Sequence, residues 1–344
     1  MKEERRILEA LQEAESLSRT ELEAAIAYAG SEASLKRELQ RLVQSGKLTV
    51  LGKGRSTRYA LSPTGRVLAT VDLATYFSRE TDERRIHTAF NFDLVEKILP
   101  QVELFTESEL KHLFSLQKTF ADNIAQLSPA EQRREMTRLG IDLSWKSSQI
   151  EGNTYTLLET ERLLLEQQTA VGKTREEATM LLNHKAALDF ILSNPDYLSE
   201  LSIARIEDIH SLLVQNLGVE RNIRRHRVGI IGTNYRPLDN EFQIREALEA
   251  ACRLVNGTDC VFSKALLVLV LISYIQAFSD GNKRTARITA NAVLLANGYC
   301  PLSFRSVDSL DYKKAMLIFY EQNNLSAFKQ LFMEQVDFAV NTYF

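Results

Sequence analysis

The stretch that decides the fold is Phe278-Ser279-Asp280-Gly281-Asn282-Lys283-Arg284-Thr285-Ala286-Arg287. It lies between an apolar segment that is typical of a buried helix ending near Ile275 and a second helical segment predicted over 282–297. A helix that ends, turns through Asp-Gly-Asn and starts again points several free backbone N–H groups at one place, where the new helix dipole is positive. The sequence therefore predicts an anion-binding turn, which we call the 278–287 turn.

Charged side chains indicate what kind of anion this turn binds. Lys283, Arg284 and Arg287 supply three cations within one and a half helical turns, which is more than one phosphate needs and suits a polyphosphate. Asp280 is a lone carboxylate beside them and a candidate ligand for Mg²⁺ that bridges the phosphates. An ordinary capped helix start with solvated basic residues is the alternative interpretation, and the whole string favours the ligand site.

Two motifs carry a resemblance to a known family. The string from Gln276 to Arg287 resembles the Fic signature, H-x-F-x-[D/E]-G-N-[G/K]-R-x-x-R, at every fixed position except the first. Upstream, Ser147, Glu151 and Gly152 are similar to the family's inhibitory motif, [S/T]-x-x-x-E-[G/N]. The resemblance covers about residues 140–330, and it implies an all-helical fold with a β-hairpin flap over the active site.

The resemblance also implies an activity. Most Fic enzymes transfer AMP from ATP to a Ser, Thr or Tyr hydroxyl of a target protein, or of the enzyme itself. By this resemblance Asp280 holds Mg²⁺, while Gly281, Asn282, Lys283 and Arg284 form the nucleotide-binding and catalytic turn. Arg287 either binds the γ-phosphate or pairs with Glu151, so that Glu151 competes with the nucleotide and inhibits the protein.

The strand-like stretch 228–238 fits the flap of this family. Around Thr233, Asn234 and Tyr235 the flap would hold a target segment extended by main-chain pairing. Members of the family often dimerise, and the Leu- and Phe-rich helices offer several faces for a homodimer.

Two departures from the signature bear on activity. The family's general base is a histidine, and this chain has Gln276 there; an amide cannot take a proton near neutral pH. None of the five histidines is an obvious substitute, and packing or surface roles are expected for all of them: His87, His112, His184, His210 and His226. Lys283 replaces a common glycine and also occurs in Doc-type toxins, which transfer phosphate instead of AMP.

These departures leave several functions open. The chain is predicted to be a protein adenylyltransferase or a related phosphotransferase whose transfer is weak, altered or absent. Removal of AMP from modified targets, with Glu151 orienting water, is a further interpretation. The alternative from another class is a DNA-binding transcriptional regulator that uses the Fic fold as a nucleotide sensor or dimerisation platform.

The DNA-binding alternative comes from residues 1–66, where three helical stripes and two short strands around a glycine turn predict a winged helix. Residues 33–66 carry eight Lys or Arg residues and one acid, Glu38, in a protein whose net charge is −3. The predicted DNA-contacting residues share a positive charge on the third helix and the turn: Lys36, Arg37, Arg41, Lys53 and Arg55. A protein-docking module with solvated cations is the competing interpretation.

The remaining organisation is inferred from length and composition. The 344 residues are divided into the winged helix (1–66), a helical connecting region (67–140) and a Fic domain (141–335) with its inhibitory motif at 147–152. Few Gly and Pro residues, 14 and 6, favour a mainly α protein over a turn-rich barrel. Three cysteines and an apolar run of only eight residues, 265–272, predict a cytoplasmic protein without a membrane span.

Overall fold

Side-chain caps set the starting points of many of the helices. The computed structural model describes residues 2–344. Five helices begin at reciprocal capping boxes, in which the first side chain and the glutamate three residues later satisfy each other's backbone N–H groups; the capping residues are Ser18, Thr106, Ser128, Thr156 and Thr174. The chain is therefore mainly α-helical, as its composition predicts.

The N-terminal unit consists of three helices followed by a hairpin. The helices are α1 (Lys2–Glu13), α2 (Arg19–Ala25) and α3 (Glu32–Gln44). Strands β1 (Leu48–Leu51) and β2 (Arg58–Leu61) pair antiparallel, with Val50 opposite Tyr59. Leucine and isoleucine residues from all three helices form a small core of their own.

The connecting region is not a free linker. It contains α4 (Pro63–Leu68), α5 (Leu73–Phe77) and α6 (Glu107–Ile124), with short helical turns at Thr81–Glu83 and Leu94–Gln101. Its apolar residues belong to the large core of the protein: Leu94, Leu99, Phe105, Leu113 and Phe120. The region is thus packed onto the C-terminal helices, in agreement with its lack of Gly, Pro and Ser enrichment.

Nine further helices build the rest of the described chain, and one of them is buried among the others. They are α7 (Pro129–Ile150), α8 (Leu157–Glu166), α9 (Arg175–Ser193), α10 (Ile203–Leu213), α11 (Glu241–Asn256), α12 (Val261–Ile275), α13 (Asn282–Ala296), α14 (Ser309–Gln322) and α15 (Ser326–Tyr343). In α12 every side chain from Ala265 to Ile275 is at most 3% exposed, and α13 packs along it. Within residues 2–344, no helix is both long enough and apolar enough to traverse a bilayer.

The flap, residues 228–238, does not form the predicted β-hairpin. It turns at Ile231 and Gly232, but its two arms do not pair with each other, and its single bridge is a parallel one between Arg236 and Ala89. Pro237 has no N–H to donate to a ladder, and glycine weakens strand pairing within so short a segment. The prediction of two paired strands is therefore wrong, and the flap is an extended loop with a different partner.

Candidate active site

The 278–287 turn joins the two most closely packed helices. Helix α12 ends at Ile275 and α13 begins at Asn282, the boundaries that the sequence predicts. Gly281 has a φ of 80°, and a Cβ atom there would lie 3.2 Å from the Val214 side chain. A residue with a side chain is therefore disfavoured at this position both by conformation and by space.

The Asn282 side chain holds the turn closed. Its Oδ1 accepts a hydrogen bond from the Phe278 N–H at 2.9 Å, and its Nδ2 donates to the Phe278 carbonyl at 2.8 Å and to Gln276 Oε1 at 3.1 Å. Asn282 is 5% exposed, so these bonds are shielded from water. The amide thus fixes the path of the chain between the two helices.

We expect Asn282→Ala to destabilise the protein by about 2 to 3 kcal/mol, since it leaves the buried Phe278 N–H and carbonyl without their partner. The free energy of unfolding in urea measures this loss. Asn297→Ala is the matched control, because Asn297 is exposed at the other end of α13 and bonds only to the Val293 carbonyl in its own helix. Equal, small losses in both variants would contradict the structural role of Asn282.

The start of α13 has free backbone donors. No side chain caps this helix, and at its first turn the Thr285 N–H donates to the Gly281 carbonyl at 2.8 Å. Helix α13 has 15 residues, so its dipole is well developed. The N–H groups of the first turn are therefore available to an anion, as the sequence predicts.

Arg284 is a buried cation, and only part of its hydrogen-bonding capacity is used. It is 1% exposed, and its Nη2 donates to Asp280 Oδ2 at 2.9 Å. Its Nε and Nη1 have no hydrogen-bond partner among the residues the structure describes. Burial lowers the pKa of Arg284, against the opposing effect of Asp280. A buried guanidinium with two unused donors beside free helix amides is suited to a phosphate group.

Glu151, at the C-terminal end of α7, neutralises the other two cations. Its Oε1 lies 2.8 Å from Arg287 Nη2, and its Oε2 lies 3.1 Å from Lys283 Nζ. Burial raises the pKa of this carboxyl, but Arg287 and Lys283 outweigh it and lower the pKa to about 2. The carboxylate is therefore ionised throughout the neutral range. The family resemblance links Glu151 with Arg287 alone, so the pairing of Glu151 with Lys283 was not predicted.

Arg287 is held from three sides. It is fully buried, and its Nε and Nη2 donate to the side-chain and backbone oxygens of Ser147 at 2.8 and 2.9 Å. Its guanidinium carbon also lies 5.2 Å above the ring of Tyr312. Gly152 comes directly after the glutamate with a φ of 100°, which lets the chain leave α7 sharply. The predicted inhibitory residues thus come together around one arginine.

Gln276 lies directly after α12, two residues before the 278–287 turn, and is buried. Its backbone is left-handed, with a φ of 52°, and its side chain is 9% exposed. The amide nitrogen donates to the Ser273 carbonyl at 2.7 Å, and the amide oxygen accepts from Asn282 at 3.1 Å. Both ends of the amide are engaged in supporting the chain between the two helices, and an amide does not take a proton near neutral pH.

The flap residues do not converge on one surface. Tyr235 is 2% exposed and stacks on Tyr274, with ring centroids 4.9 Å apart, so its side chain belongs to the core. Asn234 is exposed and donates to Asp82 Oδ1 at 2.8 Å, while Thr233 Oγ1 accepts from the Tyr235 N–H. The ring of Tyr235 is therefore directed inward. Binding of a target to the main chain of residues 233–235 stays a prediction.

The sequence does not predict the roles of two residues of the site, His210 and Arg224. His210 stacks on Phe278 with centroids 3.7 Å apart, and its two ring nitrogens lie 3.0 Å from the carbonyls of Asp280 and Arg221. Arg224 is fully buried and donates to the carbonyls of Gln276 at 2.7 Å and His226 at 2.6 Å. Both act on backbone carbonyls, which leave no sequence motif. His210 stands among the apolar residues of α10, which is a weak signal, whereas Arg224 lies in a charged run and gives none.

The predicted DNA-contacting residues lie apart from this site, on α3 and the turn between β1 and β2. Lys36, Arg37, Lys53 and Arg55 are exposed and form no ion pair with the described acidic residues. Arg41 differs, because it pairs with Glu4 at 2.7 Å and with Glu38 at 2.6 Å. The positive surface is therefore smaller than the sequence indicates.

Comparison with known proteins places the 278–287 turn within a family domain. Residues 197–294 match the Fic/DOC family. A protein adenylyltransferase Fic from Nematostella vectensis is 28% identical over 183 residues, which span 49% of this chain and 40% of the relative. Protein adenylyltransferase fic-1 from Caenorhabditis elegans is 26% identical over 211 residues, which span 59% and 40%. The chain thus covers less than half the length of these curated relatives.

Solved structures agree with the fold. Fic-1 (residues 134–508) from C. elegans aligns with a TM-score of 0.60 at 21% identity, covering 69% of this chain and 72% of that one. A Fic domain containing signaling protein from Bacteroides thetaiotaomicron aligns with a TM-score of 0.56 at 19% identity, covering 68% and 96%. At these identities the similarity establishes the helical Fic fold.

Proposed function

Because residues 197–294 form a Fic/DOC family domain, we propose that this chain is a protein nucleotidyltransferase that transfers AMP from ATP to a protein hydroxyl. The observation that carries the proposal is the cluster at the start of α13: free helix amides, a half-satisfied Arg284, and Arg287 and Lys283 held by one carboxylate. The curated relatives named protein adenylyltransferases support the same reaction class.

Glu151 holds this site in an inhibited state. Its carboxylate uses the Arg287 and Lys283 donors that the outer phosphate of a nucleotide would need. When the carboxylate leaves, Arg287 and Lys283 lose the acidic partner that they share and can bind phosphate oxygens instead. Triphosphate and Glu151 therefore compete for the same cations, and each weakens the other's binding by the same factor.

Asp280 fits a metal that arrives with the nucleotide. Its side chain is 64% exposed, and one oxygen is shared with Arg284. No group of three acidic, His or Cys side chains able to hold an ion exists within residues 2–344. A single carboxylate suits Mg²⁺, which commonly takes one or two protein oxygens with substrate phosphates. Bound there, Mg²⁺ would neutralise phosphate charge, and Asp280 would hold the ion in place.

For AMP transfer, a Ser, Thr or Tyr hydroxyl attacks the α-phosphorus of ATP in line: the new P–O bond to the protein forms as the bond from the α-phosphorus to pyrophosphate breaks, and pyrophosphate leaves. The helix amides and the Arg284 guanidinium stabilise the charge on the phosphate oxygens. Gln276 contributes no base at the position where the family has its histidine. We therefore expect transfer that is slower by about 10²- to 10⁴-fold than with a base in place.

Parallel incubations with α- and γ-labelled ATP test the proposal. AMP transfer predicts that protein becomes labelled only from α-labelled ATP, whereas a phosphotransferase labels it only from γ-labelled ATP. Long incubation of the Glu151→Ala variant with a lysate of acceptor proteins gives the greatest sensitivity. Absence of label from both nucleotides in that variant would contradict the proposed activity.

A second candidate, a DNA-binding regulator, is favoured by one observation in the N-terminal unit. Lys36 and Arg37 on α3, and Lys53 and Arg55 on the turn between β1 and β2, are exposed cations without an ion-pair partner among the described residues. In a winged helix the third helix and the hairpin turn are the parts that approach DNA phosphates. The Fic fold would then act as a nucleotide sensor.

We expect duplex DNA binding that weakens steeply with salt, with log K falling by about 0.9 per phosphate contact per decade of salt. The double variant Lys36→Ala/Arg37→Ala should lower that slope by about 2. Fluorescence anisotropy over a salt series measures it. Arg133→Ala/Arg134→Ala, two exposed arginines on α7, is the charge-matched control. No anisotropy change at low salt would remove DNA binding as a candidate.

A further inference from the structure

Residues 80–90, which we call the strap, lie along the flap. The Arg236 N–H donates to the Thr88 carbonyl at 3.0 Å, and Ala89 and Arg236 form a parallel bridge. The Asn234 side chain donates to Asp82 Oδ1 at 2.8 Å. Main-chain and side-chain groups of flap residues 232–236 are thus already engaged by a segment of the same chain.

One arginine of the strap, Arg84, binds both the flap and α14. Arg84 is 8% exposed, its Nη2 donates to the Gly232 carbonyl at 2.7 Å, and its Nη1 lies 3.3 Å from Glu321 Oε1. Its guanidinium carbon also lies 5.1 Å above the ring of Phe77. Next along the strap, the His87 N–H donates to the Glu321 carbonyl at 2.8 Å. The strap is therefore bound through one buried cation and a series of main-chain bonds.

The carboxylate that receives Arg84 needs a cation. Glu321 on α14 is fully buried, and burial raises its pKa, while Tyr76 donates a hydrogen bond to Oε2 at 2.7 Å. Were the strap to leave, this carboxylate would be buried with only neutral partners, the hydroxyls of Tyr76 and Thr233, which is unfavourable. The segment that replaces the strap must therefore bring its own positive group, and a planar guanidinium satisfies a carboxylate best.

We propose that the edge of the flap at residues 232–236 is a docking surface for an extended, arginine-containing peptide, and that the strap occupies it in the resting protein. The inference rests on the proposed function, in which the flap receives the target segment. The strap presents the features of such a ligand: an extended main chain that pairs with Arg236, and an arginine side chain seated on Glu321. A target protein binds by displacing the strap through a segment of the same chemistry.

A peptide of residues 80–91, labelled with fluorescein, tests the surface in the full-length protein. We expect Arg84→Ala to free the flap edge, so that the peptide binds this variant at least about tenfold more tightly than it binds the wild type. The same peptide carrying Arg84→Ala should not bind. Hydrogen exchange should accelerate about tenfold at the Arg236 N–H of the Arg84→Ala variant, because its acceptor on the strap is released.

Two further variants make the result decisive. Arg79→Ala removes an equal charge from an exposed residue with no ion pair among the described residues, and it should behave as the wild type. Asp82→Ala removes only the exposed partner of Asn234 and should shift both readouts in the same direction by less. If Arg84→Ala does not fold, Asp82→Ala replaces it in both measurements. Equal peptide binding by all variants, or none by any, with unchanged exchange at Arg236, would overturn the docking surface.

Neither readout requires ATP, so the two proposals fail separately. Peptide binding without label transfer would retain the docking surface and remove the proposed activity. Label transfer without peptide binding would retain the proposed activity and remove the docking surface.

Discussion

Glu151→Ala should bind ATP with Mg²⁺ about 100-fold more tightly than the wild type. The substitution removes the carboxylate that pairs with Lys283 and Arg287 and gives both cations to the phosphates. Charge-assisted hydrogen bonds contribute about 1.5 to 3 kcal/mol each, and 1.4 kcal/mol is a factor of ten in affinity. Isothermal titration calorimetry measures the change.

The same substitution has an opposite effect on the unliganded protein. Arg287 is fully buried, and without Glu151 it keeps only Ser147 and the Tyr312 ring as partners. Removal of one member of a buried pair destabilises a protein by about 3 kcal/mol or more. The melting temperature should therefore fall without ATP and recover when ATP is added in excess.

Glu161→Ala is the control for both measurements. Glu161 is an exposed glutamate of α8 without an ion pair among the described residues, so its removal should change neither ATP affinity nor the response of the melting temperature to ATP. Equal ATP affinity in Glu151→Ala and Glu161→Ala would contradict the competition between Glu151 and the nucleotide.

Gln276→His, made in the Glu151→Ala background, should raise the rate of label transfer from α-labelled ATP by about 10²- to 10⁴-fold, the usual contribution of a general base. Position 276 can accept the change, because its left-handed backbone, with a φ of 52°, suits histidine better than it suits most residues. Transfer is measured as label incorporated per minute into a mixture of acceptor proteins.

Two features distinguish restored chemistry from a general effect on the site. The rate of the histidine variant should increase with pH through about 6.5 and then level off, as the imidazole loses its proton. Gln276→Asn keeps an amide and should remain as slow as the parent. A histidine variant no faster than the asparagine variant would show that the missing base does not limit transfer.

Local patterns determined the parts of the site that could be predicted. The boundaries at Ile275 and Asn282 are set by the end of an apolar run and by an Asp-Gly-Asn turn, and the structure confirms both. The pairing of Glu151 with Arg287 was predicted from the family resemblance, and the structure places Glu151 Oε1 2.8 Å from Arg287 Nη2.

Long-range contacts account for the features that the sequence did not predict. Lys283 meets Glu151 only because α7 ends beside α13, and the sequence gives no sign of how these helices pack. The flap was expected to pair with itself, but its Arg236 N–H donates to the strap, which precedes the flap by more than a hundred residues. A strand-like stretch of sequence indicates an extended chain, but it does not identify the segment with which that chain pairs.

A crystal structure of the Glu151→Ala variant soaked with ATP and Mg²⁺ tests the central claim most directly. We predict phosphate density within hydrogen-bond distance of the Asn282, Lys283 and Arg284 N–H groups, with Arg284 and Arg287 on the phosphate oxygens. A turn that stays empty at saturating ATP, or nucleotide density elsewhere in the protein, would contradict the claim.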